Sequence, residues 1–195
     1  MHIVLLGDSV FDNAAYTSGG RAVIDHLSSL LGPDERATLL AVDGHCVEDV
    51  PSQIPLLPDD LSHVVVSVGG NDALQHQDLL REPATMMGLG LAVLGQAVDR
   101  FEERYRRMLA ELTPHAPWLQ ICTVYNGDFG VEAPAISAAV RLFDDAIQRV
   151  AAERAAPVLE LRSLLDQAVH YANPIEPSIE GGRVLAEEIL KRVRA

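Results

Sequence analysis

The stretch His63-Val64-Val65-Val66-Ser67-Val68-Gly69-Gly70-Asn71-Asp72 decides the fold. A continuous apolar, β-branched run of this length is the signature of a strand covered on both faces, which occurs in parallel sheets sandwiched between helices. The run stops at a pair of glycines followed by Asn-Asp, a turn that opens into a helix. Working outward, similar short runs stand at 3–6, 38–42, 119–124 and 157–159, and longer helical patterns separate them at 20–31, 48–54, 73–80, 91–112, 134–154 and 181–193. This alternation predicts one α/β domain over residues 1–195: a five-stranded parallel sheet with helices on both faces. Around 98–112, Phe101, Tyr105, Met108, Leu109 and Leu112 share one stripe, with Arg and Glu opposite, so these positions read as core rather than as a cofactor box.

Bulk properties narrow the function. The chain has 195 residues, 48% of them hydrophobic, enough for one substantial core. Its formal net charge of -13 argues against nucleic acid and anionic membrane surfaces, which need clustered Lys and Arg. The opening Met1-His2-Ile3-Val4-Leu5-Leu6 lacks the basic flank of a signal peptide, and its apolar run falls far short of the ~20 residues that span a bilayer. A cytoplasmic protein without a membrane span is expected. Residues 86–98 are apolar but carry Gly88, Gly90, Gly95 and Gln96, and read as a loop running into a buried helix face. The wider segment 81–95 has two readings, plain packing or the mouth of a substrate site. Cys46 and Cys122 have no metal-ligand spacing and read as reduced core thiols. No metal and no cofactor are implied, and oligomeric state is not legible.

In an open α/β sheet, ligands gather at the carboxyl ends of the strands. Three short motifs fall there: Gly7-Asp8-Ser9-Val10, Asp43-Gly44 and Gly69-Gly70-Asn71-Asp72. Each alone reads as a turn with a helix cap; their placement at successive strand ends favours one shared site. A serine in a tight turn after a strand presents its hydroxyl to a carbonyl. Gly44 leaves a backbone N–H approachable, and Asn71 offers a neutral amide donor. Together the Ser9 N–H, the Gly44 N–H and the Asn71 amide would form an oxyanion hole.

At this point the chain resembles the SGNH (GDSL-like) hydrolases. Gly7-Asp8-Ser9-Val10 is similar to that family's first block, Gly44 to its second-block glycine, and Gly69-Gly70-Asn71-Asp72 to its third block. The resemblance implies a three-layer α/β/α fold of the flavodoxin-like kind and hydrolysis of esters, thioesters or acyl groups on sugars, with Ser9 as nucleophile and a small ester or acylated molecule as substrate. The fourth block departs from the pattern. Where the family carries Asp-x-x-His before the last helix, this chain has Asn173-Pro174-Ile175-Glu176, followed by Pro177-Ser178 and Gly181-Gly182.

Three readings follow from the departure. Glu176 takes the histidine's place, with Asn173 helping to hold it and an apolar setting raising its pKa. A histidine is borrowed, His45 or His170, although each also has a plain structural reading. Or the chain is a catalytically weak or inactive relative that binds an acyl or carbohydrate ligand. His2, His26, His63, His76 and His115 read as surface or structural. Phosphate binding lacks a Gly-rich motif with its Lys, and no His-x-x-x-His spacing supports a metal enzyme.

Overall fold

The computed structural model describes residues 1–80 and 86–195. Five strands, β1 (His2–Gly7), β2 (Arg36–Leu39), β3 (His63–Ser67), β4 (Leu119–Cys122) and β5 (Val158–Leu159), form one sheet in the order β2-β1-β3-β4-β5. All neighbouring pairs are parallel, with Leu5 opposite both Leu39 and Val65. The predicted three-layer architecture is the observed one. The helices are α1 (Val23–Leu30), α2 (Gly70–Leu74), α3 (Met87–Leu112), α4 (Ala133–Glu153), α5 (Leu161–Leu164) and α6 (Ile179–Val193).

The period-2 alternation of the strands divides the core. Val4, Leu6, Val64 and Val66 face α3 and α4, where Phe101, Tyr105, Phe143 and Ile147 complete one cluster. Ile3, Leu5 and Val65 face α1 and α6, where Val23, Leu27, Leu185 and Ile189 complete the other. Both clusters are sealed, so the sheet ends are held between two rigid layers.

Differences from the expected elements have local causes. The helix expected over 48–54 is replaced by two short 3₁₀ turns, Val50–Ser52 and Ile54–Leu56, each with a proline in its first turn. The 73–80 pattern splits into α2 and a separate turn, Gln77–Leu80. β2 ends at Leu39 instead of 42, because the N–H groups of Leu40 and Ala41 both donate to the Leu5 carbonyl and the chain leaves the ladder there. α3 begins at Met87, where a loop was expected. Met87, Leu91, Leu94, Val98 and Phe101 keep one apolar stripe that outweighs its glycines. The stripe is buried from Val98 onward, while Met86, Met87, Leu89 and Leu91 are exposed, so the expected buried face covers only the second half. The first part of the 81–95 segment, 81–85, lies outside the described residues. Cys122 is a buried core thiol as read, but Cys46 is half-exposed and accepts a hydrogen bond from Gln75 Nε2 at 3.2 Å. Among the described residues no helix is long and apolar enough to cross a membrane.

Candidate active site

The strand order reverses between β1 and β3, and a parallel sheet opens a crevice at such a point. Gly7 ends β1 with φ of +120°, and a Cβ there would meet the Ser67 carbonyl oxygen at 1.8 Å. Only glycine lets the chain turn so close to β3. Asp8 N–H then donates to Ser67 O at 3.1 Å, and Val10 N–H to Asp8 Oδ1 at 3.1 Å, which fixes the turn that carries Ser9.

Gln53 braces this turn from beneath. Its side chain is buried; Oε1 accepts from Gly7 N–H at 2.9 Å, and Nε2 donates to Gly7 O at 2.8 Å and to His45 Nδ1 at 3.0 Å. The His45 carbonyl in turn accepts from Asn71 Nδ2 at 2.9 Å. Asn71 is therefore oriented through one amide hydrogen and keeps the second. Asp72, beside it, is buried and fastens the Val47 N–H at 3.0 Å; burial pushes its pKa up, against the pull of that bond and of Arg104. Gly44 sits at φ of +82° on the exposed loop next to His45, outside the cleft's lining. Among the described residues neither its N–H nor that of Ser9 has a hydrogen-bond partner.

The fourth segment is clamped from several sides. Asn13, fully buried, accepts from Val23 N–H at 2.9 Å and donates to Pro177 O at 3.1 Å. The Tyr125 hydroxyl donates to Ile175 O, and Asp128 N–H to Pro174 O at 2.8 Å. Asn173 is exposed; its Oδ1 accepts from the N–H groups of Ile175 and Glu176, so it shapes the loop through the backbone rather than by touching the Glu176 carboxyl.

This clamping turns Glu176 inward. The side chain is 4% exposed, and its Oε2 is buried without a partner. Burial pushes its pKa up to about 7, opposed by hydrogen bonding from the Ser9 side chain and reinforced by the negative charge of Asp43. Asp8, also buried, is pushed up to about 8 by loss of solvent, against the pull of the Val10 N–H, with Glu176 and Asp72 adding to the rise. Ser9, Asn71 and Glu176 line one cleft of about 940 Å³, its open mouth included.

The borrowed-histidine positions are placed elsewhere. His45 is tied to Gln53, and buried His170 has its Nδ1 3.3 Å from the Gln167 backbone N–H; neither lines the cleft. His76, read from sequence as surface or structural, is the histidine that does line it, stacked on Phe143 with ring centroids 6.3 Å apart. Among the described residues no cluster of three or more His, Cys, Asp or Glu side chains is placed to hold a metal ion.

The family model of GDSL-like lipases and acylhydrolases matches residues 5–181. The chain belongs to that family. The match takes in all the strand-end motifs and the variant fourth block. No functionally curated protein is similar enough in sequence to match the chain. Similar solved structures include a member of the lipolytic G-D-S-L family from Veillonella parvula DSM 2008, with a TM-score of 0.74 at 18% identity, covering 98% of this chain and 97% of that one. An extracellular lipase from Streptomyces rimosus superposes with a TM-score of 0.69 at 16% identity, over 97% and 99% of the two chains. An acetylxylan esterase from Geobacillus stearothermophilus gives 0.69 at 17%, over 97% and 92%. At such identities the likeness is one of fold.

Proposed function

We propose that the protein is a serine ester hydrolase in which Glu176 does the work of the histidine usual in its family. The observation that carries this reading is the buried meeting of the Ser9 hydroxyl and the Glu176 carboxyl in one cleft. Family membership supports acyl hydrolysis in general, as do the lipase and acetylxylan esterase among the structural neighbours.

The chemistry runs through this chain's own groups. Ser9 Oγ attacks the ester carbonyl carbon while its proton passes to the Glu176 carboxylate. The carbonyl π pair moves onto oxygen, where the Ser9 N–H and the remaining amide hydrogen of Asn71 stabilise it. As the pair returns, the C–O bond breaks and the alcohol leaves with the proton from Glu176. Water, deprotonated by the same carboxylate, then releases the acid and restores Ser9. A carboxylate with an ordinary pKa of ~4.3 is a poor base at neutral pH. One raised to about 7 is half ionised there and matched to the task.

The test is direct. A fluorophosphonate should label Ser9, and Ser9→Ala should lose both labelling and hydrolysis of p-nitrophenyl esters. Full hydrolysis by Ser9→Ala would overturn the assignment.

A further inference from the structure

The cleft is strongly asymmetric. Its polar end, Ser9, Asn71 and Glu176, lies at the termini of β1 and β3 and on the loop before α6. The rest extends toward the β3–β4 side and is walled by apolar groups. On α4, Ile136, Ala139, Val140 and Phe143 follow one another at helical spacing and all face the cleft. From Val140 onward this stripe is buried, but Ile136 and Ala139 are half-exposed. Opposite, α3 presents half-exposed Leu94, and its stripe runs on through Leu91 and Met87, which are 59% and 80% exposed. Leu74 and Leu80 close the side nearest α2. Both long helices thus carry their apolar faces past the sheet, and among the described residues nothing covers them.

The other side of Ser9 has opposite character. The loop after β2, on the far side of β1 from β3, holds Asp43, whose carboxylate accepts from the Tyr16 hydroxyl at 2.7 Å and whose N–H donates to Asp12 at 3.0 Å. An ester set at Ser9 therefore meets oil in one direction and exposed acid and hydroxyl groups in the other.

We infer that the trough between α3 and α4 takes the acyl chain of the substrate, so that this enzyme acts on esters of medium-chain acids, several methylenes long, rather than on acetyl esters. The inference rests on the ester-hydrolase reading above. The polar side of Ser9 takes the alcohol portion, and the acyl chain supplies the missing cover for Ile136, Ala139 and Leu94. Each methylene that leaves water for such a wall is worth about a fourfold gain in binding as an upper limit.

The experiment compares p-nitrophenyl acetate, butyrate, hexanoate and octanoate, below their micellar concentrations, on the wild type and on Ala139→Trp. In parallel, thermal stabilisation of Ser9→Ala by octanamide and by acetamide is measured. The expected result is a rise in kcat/KM of at least about tenfold from acetate to octanoate, a collapse of that ratio in Ala139→Trp, and stabilisation by octanamide alone. If Ala139→Trp fails to fold, Ile136→Gln, on the exposed half of the helix, should lower the same ratio. Turnover highest on acetate overturns the inference and leaves the ester-hydrolase reading standing. No turnover of any ester, with stabilisation by octanamide alone, retains the apolar-chain site and removes catalysis. No turnover and no selective stabilisation overturns both.

Discussion

Glu176→Gln is the substitution on which the mechanism turns. It preserves the volume and planarity of the side chain, so the clamped loop is undisturbed, but removes the group proposed to accept the Ser9 proton. General bases contribute roughly 10²–10⁴-fold, or about 3–5 kcal/mol of barrier. The variant should fall by that factor in kcat and retain the residual turnover that oxyanion donors alone supply. The pH dependence carries a second, independent signature. With Glu176 pushed up to about 7 by burial, kcat/KM should rise with pH, pass half its limiting value near 7 and level off above it. Two units lower only about one carboxyl in a hundred is ionised. A solvated glutamate would give a profile flat above pH ~5.5. Asp8, pushed up to about 8, adds a negative charge to the lining of the same cleft when it ionises, so the rate should decline above that pH. Release of p-nitrophenol should be followed at its isosbestic wavelength, so that the product's own ionisation does not shape the curve. A Glu176→Gln enzyme within about threefold of wild type, far inside the range expected for a lost base, would refute the reasoning. So would a wild-type rate independent of pH from 5 to 7.

Two further perturbations address stability. Asp8 is protonated in the folded state up to about pH 8 but ionises near 4 when unfolded, so the folded state binds the extra proton. Stability should therefore be full below pH ~4 and be lost as pH rises toward 8, by up to about 1.4 kcal/mol per unit. Asp8→Asn keeps an acceptor for the Val10 N–H and should flatten much of that decline in urea titrations at pH 5, 7 and 8.5. A variant whose stability tracks wild type across this range would show that Asp8 is ionised in the fold. Asn13→Ala removes two buried hydrogen bonds and strands the Val23 N–H and Pro177 O. It should cost about 2–4 kcal/mol by denaturant unfolding, and a loss below 0.5 kcal/mol would mean that water replaces the amide without penalty.

The sheet was legible because its evidence is local. Val64–Val66 and Ile3–Leu6 announce buried strands by composition, and the turns after them announce themselves by glycine. Ser9 and Asn71 could be placed at one rim for the same reason, and Glu176 by its spacing from Pro177, Ser178 and Gly181. What stayed hidden depends on partners distant in the chain. Gln53 looks like an ordinary polar residue between two prolines, and only the fold sets it under Gly7. Asn13 follows Asp12 in a loop-like run, yet its partner carbonyl lies at residue 177. His76 shows no sequence sign of facing a cleft, because that placement follows from the break between α2 and the Gln77–Leu80 turn. The start of α3 was misread because its glycines argued for a loop locally, while a longer apolar period governed the helix.

The tethers on the 173–178 loop are made by its main chain, by Asn173 and by the Ser178 hydroxyl, which donates to Val169 O at 2.6 Å, and none of these uses the side chain at position 176. The scaffold therefore behaves as a socket, rigid in outline and indifferent to the proton carrier plugged into it. Exchanging a carboxylate for an imidazole in such a place changes the acidity scale of the reaction without asking the protein to refold. On the proposed mechanism, such a separation of mounting from chemistry would let the base be exchanged while the nucleophile stays.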